Sequence, residues 1–494
     1  MQGKKQYQEK LFINFQLSDR VPEDNFYRRL ITIMDFSFLY NETAKYYGTE
    51  GQKSIDPVVF MKLMLVGYLE NLNSDRRIIN TVRLRLDILY FLGYDLDEEL
   101  PWHSTLSRTR QLYGQEVFTA IFKSVLKQCI DKGMISGKRQ AVDGVFVKAN
   151  ASLDSMIERE VLNDADVYSA ELEANKEDTT IVNIKAEDAE NHKGLKPKKN
   201  PHNQTHYSPS DPDAKMSVKP GKATALNYLG EVSVDTASHM ITHIQAFTAD
   251  KRDSQCLPEV IENVIENLGE NGLIVEEVVA DTGFSSGEAL KSLEENNITG
   301  YIPNRPQFVY ERPGFIYNSE GDYYTCPNNE RLTYRGVYKD GDFSNKHYRA
   351  DLKQCNACPL KDTCTAHTSK KTLITETVDR PYYAKMHVRM QSRKAKRLMK
   401  ERQSTVEPVI GTLVNYLGMR RVNTKGLLQA NKCLTMAAVA YNLKKLLKFT
   451  TRKVETDAKA MQVSLQNAFL LLIPAINFYR SYSLIRMKKN RILF

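Results

Sequence analysis

No stretch of this chain is long and apolar enough to cross a bilayer. The longest late apolar run, Ala468 to Ile476, is interrupted by Pro474 and falls far short of the roughly 20 residues a spanning helix needs. The opening Met1-Gln-Gly-Lys-Lys-Gln6 lacks the apolar core of a signal peptide, so a cytoplasmic location and no membrane partner are expected. Cysteine is scarce, with seven in 494 residues, and four of them fall between 326 and 364. That distribution fits a reduced compartment with a local metal knot better than a disulfide framework. No internal repeat is present.

A chain of 494 residues has room for two to four domains and a sizeable core. Its 41% hydrophobic and 26% charged content is that of an ordinary soluble protein. The net charge of +9 permits a polyanionic partner without demanding one. The charge is unevenly spread. Residues 151 to 190 carry 12 acidic and 3 basic side chains, residues 383 to 402 carry 8 basic and 1 acidic, and the last 15 carry 5 basic and no acidic. Each run on its own could simply be a solvated face.

Residues 56 to 132 read as helices. Asp56-Pro57 can start one, followed by Val58, Met61, Leu65 and Leu69 at helical spacing. Ser74 is a candidate cap for the next, with Ile78, Val82, Leu86 and Leu89 on one face, and Ser104 precedes another. Arginines near the helix starts (Arg76, Arg77, Arg108) suit a helix-turn-helix-like DNA binder, and a plain helical bundle is the rival reading. From 139 the period changes to that of strands. The run 140–149, a polar stretch to about 215, strands at 225–234 and 239–246, a helix at 254–268, a strand at 275–280, a helix to about Asn296 and a strand at 298–302 give the order β-β-β-α-β-α-β. This is a mixed α/β arrangement with an antiparallel opening. Residues 303 to 380 break the pattern with prolines, tyrosines and cysteines. Helices resume near 382, one ending near Gly418 and another running from about Leu427 to Leu447.

Two carboxylates stand out. Asp143 interrupts the apolar, β-branched run 139–150, and Asp281 ends a second apolar strand before a glycine turn. A carboxylate on a buried strand is costly unless it is paired or binds a cation. In-line displacement at a phosphodiester needs two cations about 4 Å apart, and hard Mg²⁺ is held by two or three carboxylates plus water. Glu407, in the most basic part of the chain, is the candidate third acid. The bland alternatives stay open at this point: Asp143 as a strand-end residue, Asp281 as part of a β-turn, and Glu407 as the glutamate of a capping box Ser404-Thr-Val-Glu407 ahead of Pro408.

Taken together, these segments resemble a DDE-type transposase of a bacterial insertion sequence, in particular the insertion-sequence eleven-eighty-two group. The matching text is Ile55-Asp-Pro-Val-Val-Phe-Met-Lys62, Ser74-Asp-Arg-Arg77, Pro101-Trp-His-Ser-Thr-Leu-Ser-Arg108, Val142-Asp-Gly-Val145, Ser210-Asp-Pro-Asp-Ala214, Ala280-Asp-Thr-Gly283, Cys355 to Cys364, Val406-Glu-Pro-Val-Ile-Gly411, Gly418-Met-Arg-Arg421 and Ala440-Tyr-Asn-Leu-Lys444. The resemblance implies a ribonuclease-H-like mixed sheet with flanking helices, and it puts the family's three acids on Asp143, Asp281 and Glu407. It implies two Mg²⁺ (or Mn²⁺) ions, double-stranded DNA (element ends and target) as partner, a homodimer or larger assembly on DNA, and a nucleoid-associated place in the cytoplasm. Related transposases show Tyr-x2-Arg-x3-Glu-x6-Lys around the glutamate. Here Lys400, Gln403 and Val414 stand at those three positions, with Arg402 the candidate replacement for the arginine.

The expected organisation is a helical DNA-binding domain at 1–138, the first part of the catalytic domain at 139–301 with a long polar insertion at 151–220, a Cys-rich insertion at 302–381, the helical second part at 382–450 and a basic tail at 451–494. The spacing Cys355-x2-Cys358-x5-Cys364, with Cys326 upstream and His367 as rival fourth ligand, predicts a structural Zn²⁺. Besides Arg76, Arg77 and Arg108, the basic residues Arg393, Lys394, Arg397, Arg402, Arg420, Arg421 and Lys425 flank the glutamate and are expected to neutralise DNA phosphates. The expected reaction is hydrolysis at the element's ends followed by joining of the 3′-hydroxyl to target DNA. The rivals are a metal-dependent nuclease without strand transfer, a non-catalytic DNA-binding regulator and a zinc-organised interaction protein.

Overall fold

The computed structural model describes residue 5 and residues 15–450, apart from 49, 51–53, 159–201, 219–222, 307, 309, 341–342 and 369–370. The basic tail expected at 451–494 and most of the polar insertion expected at 151–220 lie outside the described residues. The chain divides into two compact units, one drawn from 1–35, 85–98 and 442–494, the other from 36–84 and 99–441.

In the first unit the helix Phe26–Ile31 starts at Asn25, whose side chain accepts hydrogen bonds from the amides of Tyr27 and Arg28. It buries Tyr27 and Leu30, and the Tyr27 ring lies 5.2 Å from Phe91 on the helix Leu86–Leu92.

The second unit holds the other described helices of the N-terminal half, apart from Leu17–Arg20 of the first unit, and all the described strands. Pro57–Leu69 begins as its sequence predicts: Asp56 accepts from the amides of Val58 (2.7 Å) and Val59 (3.0 Å), and Pro57 needs no partner for an N–H it lacks. Phe60, Met61 and every residue from Leu63 to Tyr68 are buried, so this helix is apolar around its circumference and runs through the interior. Asp75–Arg83 and His103–Leu112 pack beside it. Arg110, only 2% exposed, is held by Asp75 through Nη2–Oδ1 (2.5 Å) and Nη1–Oδ2 (3.2 Å). The long helix Gln115–Asp131 then leads into the sheet.

The sheet comprises β1 (Arg139–Lys148), β4 (Lys215–Ser217), β5 (Ala225–Asp235), β6 (Met240–Thr248), β7 (Glu277–Val279) and β8 (Thr299–Tyr301). A short pair, β2 (Ile157–Glu158) and β3 (His206–Tyr207), stands apart from it. β1 is central: β5 runs antiparallel on one side and β7 parallel on the other, β8 extends β7 in parallel, and β6 and β4 both pair with the far side of β5. Apart from the short edge strand β4, which the sequence pattern does not mark, this is the β-β-β-α-β-α-β order with an antiparallel opening that the hydrophobic pattern predicts. The crossovers are the helices Asp253–Gly269 and Gly287–Glu295, the latter capped by Ser286 on the Ala289 amide.

Residues 303 to 380 depart from the sequence reading. They build a second sheet of six strands, β9 (Ile316–Asn318), β10 (Tyr323–Thr325), β11 (Arg331–Asp340), β12 (Phe343–Arg349), β13 (His367–Thr368) and β14 (Lys371–Thr377), in the order β13-β14-β12-β11-β10-β9. Its core is small: Tyr324, Leu332, Tyr348, Ala366 and Ile374. Tyrosine supplies much of the buried surface while keeping a polar tip, and that is why the segment lacks an obvious apolar alternation.

After Arg380–Met390 comes Arg393–Tyr416, capped by Ser392 on the Ala395 amide and carrying Pro408 within it. The capping-box reading of Ser404 to Glu407 is thus corrected. The helix has already run for three turns at that point, and Ser404 bonds back to the Glu401 carbonyl instead (2.9 Å). The chain leaves this helix at Gly418, whose φ of +70° suits glycine. A further helix covers 427–450. The start of that helix explains another motif: Asp211 and Asp213 accept from the amides of Gly426 (3.0 Å) and Leu427 (2.8 Å), capping it from a distance. On this helix Leu428 is 54% exposed, whereas Leu434, Ala438 and Leu446 are buried.

Candidate active site

Asp143 lies in the middle of β1, opposite Val232 of β5, and keeps 19% of its side chain exposed. Its Oδ1 accepts from the amide of Gly144 (2.9 Å) and its Oδ2 lies 3.2 Å from Nη1 of Arg402. Asp281 follows the end of β7, the strand parallel to β1, and its Oδ1 accepts from the amide of Gly283 (2.7 Å) to start a single 3-10 turn. With Ala141 opposite Val279, the two aspartates leave neighbouring strands at nearly the same level. Burial pushes the Asp143 pKa up; the Arg402 guanidinium opposes this and the Asp281 charge adds to it. The Asp281 carboxylate is thus near enough for its charge to act on Asp143.

Each aspartate is followed closely by a glycine, and the structure gives both glycines one reason. A Cβ on Gly144 would stand 2.8 Å from Oδ1 of Asp253, and a Cβ on Gly283 would stand 2.7 Å from its Oδ2. Asp253 opens the helix Asp253–Gly269, and its carboxylate fills the space that the two missing side chains leave. Beside it lies Glu231, opposite Gly144 on β5 and wholly buried. Neither Glu231 oxygen accepts a hydrogen bond among the described residues. Burial first, then the Asp253 carboxylate, push the Glu231 pKa well up. That direction favours the protonated form of Glu231. Neither acid was singled out from sequence, although Glu231 interrupts an apolar strand just as Asp143 does. Arg305 was missed as well; its Nη2 donates to the Gly283 carbonyl (3.0 Å) behind Asp281.

The helix Arg393–Tyr416 lies over β1, β5, β7 and β8. Arg402, Thr405, Val406, Val409 and Leu413 are its buried face in this stretch, and Arg402 is the residue it sends to Asp143. The Arg402 guanidinium is 6% exposed, its Nε has no acceptor among the described residues, and its contact with Asp143 is an ion pair without the alignment of a hydrogen bond. Glu407 lies five residues on, roughly 140° around the helix from Arg402, and is exposed. The structure thus brings Asp143 and Asp281 together and leaves Glu407 on the outer side of the helix. Among the described residues, no three His, Cys, Asp or Glu side chains are grouped as they would be around a metal ion. Asp143 and Asp281 still fit a hard divalent cation in kind: both are oxygen donors, partly exposed, with a single side-chain cation ion-paired to Asp143.

The cysteines do not fit their predicted ion. Cys326, Cys355, Cys358 and Cys364 are half-buried thiols, and they form no such group. Cys326 and Cys364 pack against the Tyr324–Tyr348 core, and Cys358 Sγ accepts from the Leu360 amide (3.4 Å). Strand pairing and that core hold the region.

Of the predicted DNA-contacting residues, Arg76, Arg77, Arg108, Arg393, Arg397, Arg420, Arg421 and Lys425 are exposed. Lys394 is exposed too but hydrogen-bonded to Glu277, which also holds Arg139 (2.6 Å). Arg402 is the buried exception. Among the described residues no helix is long and apolar enough to cross a membrane.

Two family models match the chain: Transposase domain (DUF772) over residues 15–112 and Transposase DDE domain over residues 325–447. The second spans Glu407 and stops short of the two aspartates. No curated protein matches. Among solved structures, the piggyBac transposase synaptic complex with hairpin DNA is 9% identical, with 88% of this chain and 77% of that chain covered at a TM-score of 0.35. The Mos1 transposase paired-end complex with left transposon end is 8% identical, with 53% and 64% covered at a TM-score of 0.16. These likenesses are slight, and the family rests on the two domain matches. The two transposase-domain matches, in order along the chain, support a DDE-type transposase of an insertion sequence.

Proposed function

We propose that this protein is a DNA transposase that cuts phosphodiesters at the ends of an insertion sequence and joins the freed 3′-hydroxyl to target DNA. The observation that carries this reading is the pairing of Asp143, at the centre of the middle strand, with Asp281, at the end of its parallel neighbour. The strand order β6-β5-β1-β7-β8, with only β5 antiparallel to the β1-β7-β8 set, supports a ribonuclease-H-like core. In this reading Asp143 and Asp281 hold two Mg²⁺ or Mn²⁺ ions, which supply charge stabilisation and a reactive water when bound. The protein's part is to fix these two carboxylates through the Gly144 and Gly283 amides, to set a buried guanidinium at Arg402 beside them, and to bring DNA across them on exposed arginines. Glu407 is the third acid; its position on the outer side of its helix means that a rotation or shift of that helix on binding DNA and cations is part of the proposal. Double-stranded DNA is the partner, and the joining of two ends implies an assembly of at least two copies.

The test is cleavage of an end-labelled duplex carrying the element's terminus, with Mg²⁺, by the native chain and by Asp143→Ala, Asp281→Ala and Glu407→Ala. The expected outcome is loss of cleavage in all three with binding to the duplex retained. Native-level cutting by Asp281→Ala would overturn the assignment. Cleavage without joined product, when pre-cut ends and target are supplied, would reduce the protein to a nuclease.

A further inference from the structure

Three sequence motifs that the acids leave unexplained meet in one place. The segments Ser74-Asp-Arg-Arg77, Pro101 to Arg108 and Gly418 to Arg421 converge with the end of β1 on an open, polar pocket of about 610 Å³. The chain just after Gly418 is anchored to β1: the Lys148 amide donates to the Arg420 carbonyl (3.2 Å), and the Val422 amide donates to the Lys148 carbonyl (3.0 Å). Arg421 is steadied by Asn150, whose Oδ1 accepts from its Nη2 at 2.8 Å, while Asn150 Nδ2 lies 3.4 Å from the Asn423 carbonyl. Across the pocket, Nη2 of Arg76 stands 3.5 Å from Nε2 of His103. The one carboxylate in the lining, Asp75, is already matched by the buried Arg110. Arg76 and Arg421 therefore face solvent with a surplus of positive charge, surrounded by side chains that donate hydrogen bonds.

We infer that this pocket is a binding site for the DNA sugar–phosphate backbone, in which Arg76 and Arg421 grip phosphates of the strand that leads to the cut. The inference rests on the transposase reading and adds a position to it. Lys148 is five residues along β1 from Asp143, roughly 17 Å at strand rise. Successive phosphates on one strand are about 3.4 Å apart along the duplex axis. The gripped phosphates therefore lie about five nucleotides from the scissile bond. Guanidinium suits the task because it is always charged and offers a planar fork to phosphate oxygens. Trp102, the chain's single tryptophan, is 77% exposed and immediately precedes His103 in the pocket wall, so it reports occupancy directly.

The experiment uses the full chain and a duplex carrying the element's end, read by Trp102 fluorescence over a salt series. A set of duplexes each carries one neutral methylphosphonate at a different phosphate. The native chain should show quenching, and a single methylphosphonate about five nucleotides from the cut should weaken binding most. In the Arg76→Ala/Arg421→Ala double variant, affinity should fall about tenfold near physiological salt, the salt slope should shrink by about two, and the methylphosphonate at that position should no longer matter. Both arginines are exposed, and an unchanged melting temperature will show that the fold is intact. An unchanged slope and an unchanged interference pattern in the double variant, with native DNA binding present, would overturn the pocket assignment alone. Absence of any salt-dependent duplex binding by the native chain would overturn the transposase reading with it. Equal quenching by inorganic phosphate or a mononucleotide at the same concentration would mark a free-phosphate site and overturn the proposal.

Discussion

Replacing Arg402 by methionine is the most informative single change outside the acids. Methionine keeps most of the aliphatic stem that packs under the helix and removes only the charge. At 3.2 Å, the Arg402–Asp143 attraction is about 5 kcal/mol at an effective dielectric of about 20, before desolvation is subtracted. Removing one member of a fully buried pair costs about 3–5 kcal/mol, because the other charge is left without compensation. Asp143 retains 19% exposure, so about 2–3 kcal/mol is the reasonable figure here. For a unit of this size that corresponds to a fall in melting temperature of roughly 2–4 °C. If Asp143 and Asp281 are a cation site, the variant should recover in Mg²⁺. A cation binding only the folded chain at 100 times its dissociation constant adds about 2.7 kcal/mol. In the native chain Arg402 competes for the same carboxylate, so its gain should be smaller. Thermal melts of both proteins with and without 10 mM Mg²⁺, a concentration on the order of 100 times a mid-range dissociation constant, are the assay. Equal Mg²⁺ gains in the two proteins would refute the idea that the guanidinium and a cation contend for Asp143. A variant as stable as the native chain without Mg²⁺ would refute the energetic value given to the pair.

Burial lowers the His243 pKa to about 4, and its ring is held neutral between Gln245 and Asn267. The unfolded chain takes up that proton near pH 6.5 and the folded chain only near 4, so stability should fall by about 2–3 kcal/mol between those values. His243→Gln should flatten that part of the pH–stability curve, and an identical curve would show that other groups control acid sensitivity. Gly144→Ala and Gly283→Ala should each push the Asp253 carboxylate from its place, lowering stability by about 1–3 kcal/mol. Combining either with Asp253→Ala should cost less than the sum of the two, which a double-mutant cycle in thermal melts reads directly; strict additivity would mean that Asp253 is not what those glycines accommodate.

The parts of the molecule legible in the sequence are those in which one face is apolar and local chemistry marks the ends. The β1–β5–β6 opening, the helix started by Asp56-Pro57 and the strand ending at Asp281 all follow from period and capping. The second sheet did not, because Tyr324 and Tyr348 bury rings on strands that otherwise read as polar. Asp143 and Asp281 stood out as carboxylates against apolar strands, yet Glu231 obeys the same rule and was passed over for want of a neighbouring turn. Asp253 carried no local signal at all; only the contact with Gly144 and Gly283 discloses it. The Ser404–Glu407 segment shows the opposite failure, since a capping pattern in the middle of a helix competes with nothing and means nothing. Arg76 and Arg421 were each legible as exposed basic residues, but their meeting in one pocket depends on a pairing between residues 148 and 421 that no local pattern encodes.

Where a divalent ion binds is the most direct test of the paired aspartates. Crystals of the full chain grown with Mn²⁺ and an element-end duplex, measured at the manganese absorption edge, would locate it by anomalous scattering. The prediction is manganese within about 2.0–2.3 Å of carboxylate oxygens from both Asp143 and Asp281. Manganese bound elsewhere, with these two aspartates still joined only to Arg402 and backbone amides, would contradict it.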